Sequence, residues 1–422
     1  MACPAEAPIF CGHDTVSRGL CVKEAAACNS RAPEPRAVPK TPENEKGKKY
    51  SYVETHLGRH CYFTKETLKV DYDMSFPDGE AVPASFSCLT YNIWGLARKD
   101  EQAHLFTLRQ PLLEKTIRES GADLLCLQEM SEFSYGRLTT LIGEYKFASE
   151  IPYPATHQSD RNRAVDTYFL SKYKPSRVTL YNLPGVLGYS NCLLVVEYSN
   201  LVIFNLYNQA GSRSSPGQEL KWIHYSRCRY DILETIYDMI KDSYAEKNSI
   251  ICGDFNFHLD GKVKDWPELA MIERFKADGF IDTFRQVNPE DPGFTEDTDF
   301  NAMRWNQKLI EKHYRYDGII FKGAWKPTGS VLIGRDTECL NSEDSEWFIK
   351  NMSEVNESNL DDLWYCKDKT IPINASDHFG VLTTFTQGGG RRRFRKTRRK
   401  QTQQKQQKQQ KQKRRRSTKR KI

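Results

Sequence analysis

The chain has 422 residues, of which 38% are apolar, so it can bury the core of one large domain that carries extensions. Its net charge of +7 is uneven: residues 388–422 hold 18 of the 62 lysines and arginines and no acid, which leaves 44 basic against 55 acidic residues elsewhere. The chain contains no apolar run of membrane-spanning length and no secretory signal at its start, so we expect an intracellular protein rather than a membrane or secreted one.

Composition divides the chain into four parts. Residues 1–49 include a proline-rich, charged stretch that cannot repay the entropy of ordering, so we expect a disordered leader. Residues 50–83 carry enough aromatic side chains to form a lead-in segment that packs on the main domain, residues 84–387. Residues 388–422, here called the polybasic tail, begin with three glycines and have no apolar face, so we expect disorder there too.

The twelve cysteines do not predict a disulfide framework, because an intracellular protein keeps its thiols reduced. Four of them lie inside predicted strands of the main domain. There we expect them to act as small buried hydrophobes: Cys88, Cys126, Cys192 and Cys252.

The main domain alternates strands with helices. Residues 86–91 alternate as a strand, and a helix with one apolar face follows and closes at Gly121. Because proline suits a first helical turn, Pro111 indicates that the regular helix begins only there. The continuously apolar run at 123–127 predicts a strand that is buried on both faces. The remaining predicted elements are strands at 168–170, 192–198, 201–206, 250–252, 316–321 and 379–386, and a helix from about Gln218 to Asp242. Hairpins mixed with this alternation favour α/β layers over an all-parallel barrel.

Polar residues follow several strands at the point where each strand ends. Asp254 and Asn256 come after strand 250–252, and Gly253 lets the chain turn sharply before them. A carboxylate beside an amide suits activation of water near a phosphate, because the acid takes a proton and the amide donates to an oxyanion. Gly-Asp and Asp-x-Asn also mark ordinary turns, so the other strand ends decide between the two interpretations. These carry Asn92, Glu129, Asp317, Asp377 and His378.

Together these strand ends resemble the motifs of the endonuclease/exonuclease/phosphatase superfamily of metal-dependent, DNase I-like phosphoesterases. The motifs are Thr90-Tyr91-Asn92-Ile93, Leu127-Gln128-Glu129, Gly253-Asp254-Phe255-Asn256, Arg315-Tyr316-Asp317 and Ser376-Asp377-His378-Phe379. Any one of them is common, but five in the family's order over the main domain are specific. The resemblance implies a four-layer α/β sandwich, in which two mixed β-sheets pack face to face with helices outside.

The resemblance also implies a divalent cation, Mg²⁺ with Mn²⁺ as a substitute. Glu129, Asp377 and Asn92 are the expected ligands, and an oxygen-only site suits Mg²⁺, which keeps several waters. The cation would polarise the phosphoryl group and neutralise the charge that develops on it.

Catalytic roles follow from the same resemblance. Asp254 would orient or deprotonate the attacking water, while Asn256 and Asn92 would donate to phosphate oxygens. His378, held by Asp317, would bind the phosphate and stabilise the transition state or assist the leaving oxygen.

One segment departs from the family pattern. Many members carry a histidine after the strand at 201–206, but this chain has Asn205-Leu206-Tyr207-Asn208. The tyrosine resembles abasic-site endonucleases, in which it contacts the phosphate, so Tyr207 is a further catalytic candidate. The missing histidine weakens the sphingomyelinase and deadenylase interpretations. The inositol phosphatase interpretation is weaker still, because its Cys-Asp-Arg signature is missing and Asp317 is followed by Gly318.

Phe294-Thr295-Glu296-Asp297-Thr298 and the segment 376–382 resemble the 5′-tyrosyl-DNA phosphodiesterase subgroup. In the loop between them, Arg304, Trp305 and Lys308 are either substrate contacts or ordinary surface residues. The polybasic tail predicts binding to polyanions through counterion release, with nucleic acid as first partner, and it also suits nuclear targeting. Adsorption to anionic membrane and a solubilising role stay open for the tail.

The sequence therefore predicts a Mg²⁺-dependent phosphodiesterase that acts on nucleic acid, as a nuclease or an end-processing enzyme of DNA repair. Two other classes stay open: a sphingomyelinase-like or small-molecule phosphoesterase, and a non-catalytic nucleic-acid-binding protein on the same fold. The oligomeric state is not predicted.

Overall fold

A computed structural model of the chain describes residues 9–10, 21–22, 52–55, 58–61, 69–96, 99–149, 165–184, 190–211, 219–262, 266–355 and 358–387. The polybasic tail lies outside the described residues, and so does the leader except for four of its residues. Among the described residues, no helix is both long and apolar enough to span a membrane.

The strands are β1 (Ile9–Phe10), β2 (Cys21–Val22), β3 (Tyr52–Thr55), β4 (Gly58–Cys61), β5 (Lys69–Ser75), β6 (Ser85–Asn92), β7 (Leu124–Met130), β8 (Phe147–Ala148), β9 (Val165–Ser171), β10 (Arg177–Pro184), β11 (Ser190–Glu197), β12 (Leu201–Tyr207), β13 (Asn248–Asp254), β14 (Ile281–Asp282), β15 (Glu296–Asp297), β16 (His313–Tyr314), β17 (Asp317–Lys322), β18 (Trp325–Ile333), β19 (Thr337–Cys339), β20 (Pro372–Asn374) and β21 (Gly380–Gln387). The helices are α1 (Asp100–Ser120), α2 (Glu132–Arg137), α3 (Thr139–Ile142), α4 (Glu219–Ser243), α5 (Leu269–Ala277), α6 (Thr283–Val287), α7 (Ala302–Lys308) and α8 (Ser342–Met352), with a 3₁₀ turn at Leu360–Asp362.

Two mixed sheets form the body of the described structure. Sheet I has the strand order β18-β21-β6-β7-β9-β8, and sheet II has the order β14-β17-β13-β12-β11-β10-β5. Each sheet contains one parallel pair of described strands, β6 with β7 in sheet I and β12 with β13 in sheet II. Parallel neighbours need a crossover connection, and the long helices α1 and α4 supply it.

The apolar residues form layers between and outside the sheets. Strand β12 is buried along its whole length because its two faces serve different layers. Ile203 lies in the layer between the sheets, with Cys88 and Cys126 of sheet I. Phe204 points to the other side, into the layer that contains Ile236 of α4. On the outside of sheet I, helix α1 buries its apolar face against strands β6 and β7. The result is a helix–sheet–sheet–helix sandwich, which confirms the predicted fold class.

Helix α1 corrects one sequence expectation. It begins at Asp100 rather than near Pro111, which lies inside the helix, and it ends as predicted at Gly121 with a left-handed φ of 60°. An interior proline costs about 3 kcal/mol because it removes a backbone hydrogen bond. Burial of Leu112, Leu113 and Ile117 beside it offsets this cost, since each such side chain contributes roughly 1.5–3 kcal/mol.

A disulfide between Cys339 and Cys366 corrects the expectation of reduced thiols. The two residues are 27 positions apart, so the bond closes a segment that contains helix α8. Cys88, Cys126 and Cys252 are free and fully buried, as predicted for small apolar residues. The exposed position of Cys339 outside both sheets explains why it escaped an argument based on core strands.

Replacing both cysteines of this disulfide by serine tests its contribution to stability. Closure of a loop of this length in the unfolded chain should contribute roughly 3–4 kcal/mol to the free energy of unfolding. We expect Cys339→Ser/Cys366→Ser to lose that amount in urea unfolding. The wild type with dithiothreitol should match the variant, and a wild type that is insensitive to dithiothreitol would contradict the bond.

Candidate active site

The carboxyl ends of the four parallel strands bring four polar side chains together, one from each strand. Asn92 ends β6, Tyr207 ends β12 and Asp254 ends β13, while Glu129 lies one residue before the end of β7. The Asn92 amide nitrogen donates to Glu129 Oε1 (3.2 Å) and to Asp254 Oδ2 (3.0 Å). The Tyr207 hydroxyl donates to the same Glu129 oxygen across 2.8 Å. Asn92 therefore joins a carboxylate of sheet I to one of sheet II.

A histidine–carboxylate pair completes the site. It comes from the starts of two antiparallel strands, β17 and β21. Asp317 opens the antiparallel strand β17 and lies beside Asp254 in the sheet register. His378 precedes β21, and its Nδ1 donates to Asp317 Oδ2 across 2.7 Å. This bond fixes the orientation of the imidazole and leaves Nε2 as the nitrogen for a substrate.

The backbone is strained where the site requires it. Glu129 and Asn256 have positive φ angles of 56° and 55°, a left-handed conformation that non-glycine residues adopt mainly at constrained functional positions. Gly253 has a φ of 141°, and a Cβ there would lie 1.8 Å from the carbonyl oxygen of Leu206. Asn256 is held by two bonds, from its N–H to Asp254 Oδ1 and from its amide nitrogen to the carbonyl of Asn208.

A buried arginine that sequence reasoning missed holds two of the motifs together. Arg109 of α1 is 1% exposed, and its guanidinium donates to the carbonyls of Ile93 (2.8 Å), Ala375 (2.5 Å) and Trp94. These carbonyls flank the first and last motifs. An arginine on the apolar face of a predicted helix is the sequence signal that could have identified it.

Thr295 connects the histidine pair to the neighbouring hairpin. Its hydroxyl accepts hydrogen bonds from the N–H groups of Tyr316 and Asp317, and its carbonyl accepts one from the N–H of Phe379. Asn301 donates to the carbonyl of Ser376 across 2.8 Å. The segment around β15 therefore positions both Asp317 and His378, a role that the sequence did not reveal.

Burial and neighbouring charges shift the pKa values of three groups in the site. Burial, followed by the charge of Asp317, raises the pKa of Asp254 well above its usual value. Glu129 is partly exposed, yet the dense protein around its carboxyl group and then the charge of Asp377 raise its pKa. Burial lowers the pKa of His378, but the charges of Asp317, Asp377 and Asp254 outweigh it and raise the pKa well above its usual value.

The carboxylates suit a divalent cation. Asp317 Oδ1 is buried without a hydrogen-bond partner, and Asp254, Asp317 and His378 offer ligand atoms within 4.8 Å of one another. A hard cation near these oxygens would offset the burial and the neighbouring negative charge that raise the pKa of Asp254. The oxygen of Asn92, an expected ligand, accepts the N–H of Trp94, while its nitrogen donates to the two carboxylates.

The three candidate contacts on helix α7 have different surroundings. Trp305 donates its indole N–H to the carbonyl of Asp362, and Lys308 forms an ion pair with Glu354, so both bind structural partners. Arg304 donates to Glu296 Oε1 across 2.8 Å. Burial lowers the pKa of Arg304, but the charges of Glu296 and Asp377 outweigh it and raise the pKa above its usual value.

Comparison with known proteins shows the family of the chain. A model described as the Endonuclease/Exonuclease/phosphatase family matches residues 89–378, more than half of the chain. Similar solved structures include truncated TDP2 of Caenorhabditis elegans (15% identity, TM-score 0.49, covering 72% of this chain and 97% of that one) and D. rerio TDP2 complexed with single strand DNA product (15%, 0.43, 72% and 100%). An endonuclease/exonuclease/phosphatase family protein of Bacteroides thetaiotaomicron is 12% identical, with a TM-score of 0.49 and coverage of 72% and 98%. No curated protein matches the chain by sequence. The chain belongs to the endonuclease/exonuclease/phosphatase family.

Proposed function

We propose that the protein is a metal-dependent phosphodiesterase that hydrolyses nucleic acid. Members of its family are usually hydrolases that act on phosphoester bonds. The observation that carries the proposal is the pair of polar bridges: Asn92 joins Glu129 to Asp254, and Asp317 holds His378. Together these bonds bring the proposed base, the proposed metal ligand Glu129 and the proposed proton donor to the same edge of the two sheets.

Asp254 is the proposed general base. Its raised pKa favours proton uptake from the attacking water, whose oxygen forms the new bond to phosphorus. The bond from phosphorus to the leaving oxygen then breaks, and that oxygen takes a proton from His378. The Asp317 carboxylate keeps the imidazole protonated, and the amide of Asn256 donates to a phosphate oxygen beside Asp254.

Glu129 and Asp377 are the proposed metal ligands, and Mg²⁺, or Mn²⁺ in its place, would supply Lewis-acid polarisation of the phosphate. Asn92 and Tyr207 orient the Glu129 carboxylate through their hydrogen bonds. Tyr207 would thus orient the metal ligand Glu129 in addition to contacting the phosphate, which is the role that the sequence predicts for it.

Nucleic acid is the proposed substrate because the polybasic tail matches a polyanion and because residues 294–298 resemble the 5′-tyrosyl-DNA phosphodiesterase subgroup. A role in processing DNA ends, and with it a nuclear location, follows from this substrate. The sphingomyelinase-like alternative and the non-catalytic alternative are distinguished by the following experiment.

Turnover on a substrate panel tests the reaction. The panel contains single-stranded and duplex DNA, abasic-site DNA, 5′-tyrosyl DNA, polyadenylate and sphingomyelin, with Mg²⁺ or with EDTA. We expect cleavage of a nucleic acid, and a loss on the order of a hundredfold or more in Asp254→Asn and His378→Ala, because each removes a proton-transfer group. Asp278→Asn, a carboxylate at the end of α5, is the control.

Two outcomes would contradict the proposal. Turnover of sphingomyelin alone would keep the chemistry and change the substrate. Binding of nucleic acid without turnover of any substrate would favour a binding protein on this fold.

Tyr207→Phe tests the metal ligands. The variant removes one hydroxyl, the donor to Glu129 Oε1, so we expect the Mg²⁺ concentration at half-maximal rate to rise roughly 10- to 100-fold. Tyr198→Phe is the matched control, because it removes a buried hydroxyl that bonds Ser171 away from the site. An unchanged Mg²⁺ dependence with a lower rate at saturation would instead place Tyr207 on the phosphate.

Asp317→Asn tests the proton donor through pH dependence. The asparagine oxygen can still accept the Nδ1–H, but without the negative charge of Asp317 the pKa of His378 falls, so the imidazole loses its proton at a lower pH. We expect the alkaline limb of the kcat/KM profile to move to lower pH. If the limb stays in place while the rate falls uniformly, protonated His378 is not required.

A further inference from the structure

A second cleft lies beside the candidate active site and is not used in the reaction described above. It has a volume of about 990 Å³, and its lining includes both Cys339 and Cys366 of the disulfide. The other lining residues that matter here are Phe300, Arg335, Trp364 and Lys367. The volume is at the upper end of the range for ligand pockets in proteins.

The cleft shares its wall with the catalytic loop. Asn301, between the lining residues Phe300 and Ala302, donates to the carbonyl of Ser376 across 2.8 Å. The Arg335 guanidinium lies 5.6 Å from the ring of Phe379, which directly follows His378. The wall of the cleft is therefore joined to the segment that carries His378.

Two large apolar side chains are exposed in this cleft. Phe300 is 52% exposed and Trp364 is 39% exposed, so two of the five large exposed hydrophobic residues among the described ones line the same cleft. Exposed aromatic rings that share a cleft indicate a binding surface. Arg335 lies over the Phe300 ring at 4.7 Å, which adds a flat cation to the aromatic surface.

Two acids and two bases are the charged side chains that line the cleft. Asp299 lies 3.2 Å from the His313 imidazole, and hydrogen bonds from the hydroxyl and N–H of Thr370 lower the pKa of Asp368. Arg335 and Lys367 are both exposed, and neither forms an ion pair with another described residue. The cleft therefore offers rings to a flat ligand and positive charge to an anionic one.

We propose that this cleft binds unpaired bases of a single-stranded nucleic acid that extends from the scissile phosphate. The bases stack on Phe300 and Trp364, and the phosphates lie near Arg335 and Lys367. Rings together with cations are how proteins bind single strands, because every base has a face to stack and every linkage a negative charge. The inference rests on the proposed function, since it names the form of the nucleic acid that this site takes.

Binding and turnover of matched oligonucleotides test the proposal. The variants are Phe300→Ala and Trp364→Ala, and Val331→Ala is the control, an exposed apolar residue of β18 outside the cleft. Affinity for an oligothymidylate of about ten nucleotides is measured by fluorescence anisotropy on the full chain, beside a blunt duplex of equal charge. Unfolding midpoints check that the exposed substitutions leave the fold intact.

Loss of one stacking ring should weaken single-strand binding roughly 5- to 150-fold and leave duplex binding and the Val331→Ala variant unchanged. The polybasic tail should also bind both oligonucleotides, but the affinity that it contributes falls steeply with salt concentration. The difference in affinity between variant and wild type should therefore persist at high salt. A 2-aminopurine base in the strand should lose fluorescence on binding to the wild type and less on binding to Trp364→Ala.

Three results would overturn the cleft as a base-binding site. These are equal single-strand affinity in wild type and variants, an equal loss for single strand and duplex, and binding of an aromatic peptide or an anionic vesicle in place of the oligonucleotide. A selective loss of single-strand binding supports the cleft even if no substrate of the panel turns over. That combination separates a failure of the proposed function from a failure of this inference.

Discussion

The site depends on one constraint: the partly exposed carboxylate of Glu129 in sheet I and the buried carboxylate of Asp254 in sheet II must lie close together. The amide of Asn92 meets part of this constraint, because it donates to Glu129 on one side and to Asp254 on the other. Its two N–H groups draw the carboxylates together but cannot neutralise them. The raised pKa values of both acids show that charge compensation is incomplete, which is why a divalent cation suits this position.

The two sheets meet this constraint in the same way. Each contributes a strand, a crossover helix and a parallel neighbour, so each delivers two adjacent carboxyl ends to one edge. The antiparallel strand β17 then supplies Asp317 from its first residue, opposite Asp254. The polar cluster is costly for stability, and Arg109 limits the cost by satisfying three carbonyls around it. Burial lowers the pKa of Arg109 to about 10, and the charges of Asp377 and Glu129 oppose this shift.

The positions of residues next to their own strand could be predicted from the sequence. Asn92, Glu129 and Asp254 lie at or near the ends of apolar strands and His378 just before one, and the order of the family motifs related them to one another. Pro111 was misleading because a local rule for proline was outweighed by the burial of the helix on which it lies. Arg109, Thr295 and the Cys339–Cys366 bond could not be found in this way. Each acts through partners that are distant in sequence, and no local pattern marks such contacts.

The proposed chemistry and the proposed substrate contacts lie on different parts of the fold. The proposed proton-transfer groups lie at strand ends beside the apolar layers of the sandwich. The rings and cations of the cleft lie outside it, on the segment after β15 and on the segment closed by the disulfide. The bonds of Thr295 and Asn301 connect the two parts, so a strand held in the cleft would be aligned with His378 through the backbone of residues 376–379. Because this connection uses the side chains of Thr295 and Asn301, which do not line the cleft, the lining side chains can vary without removing the bonds that hold Asp317 and His378.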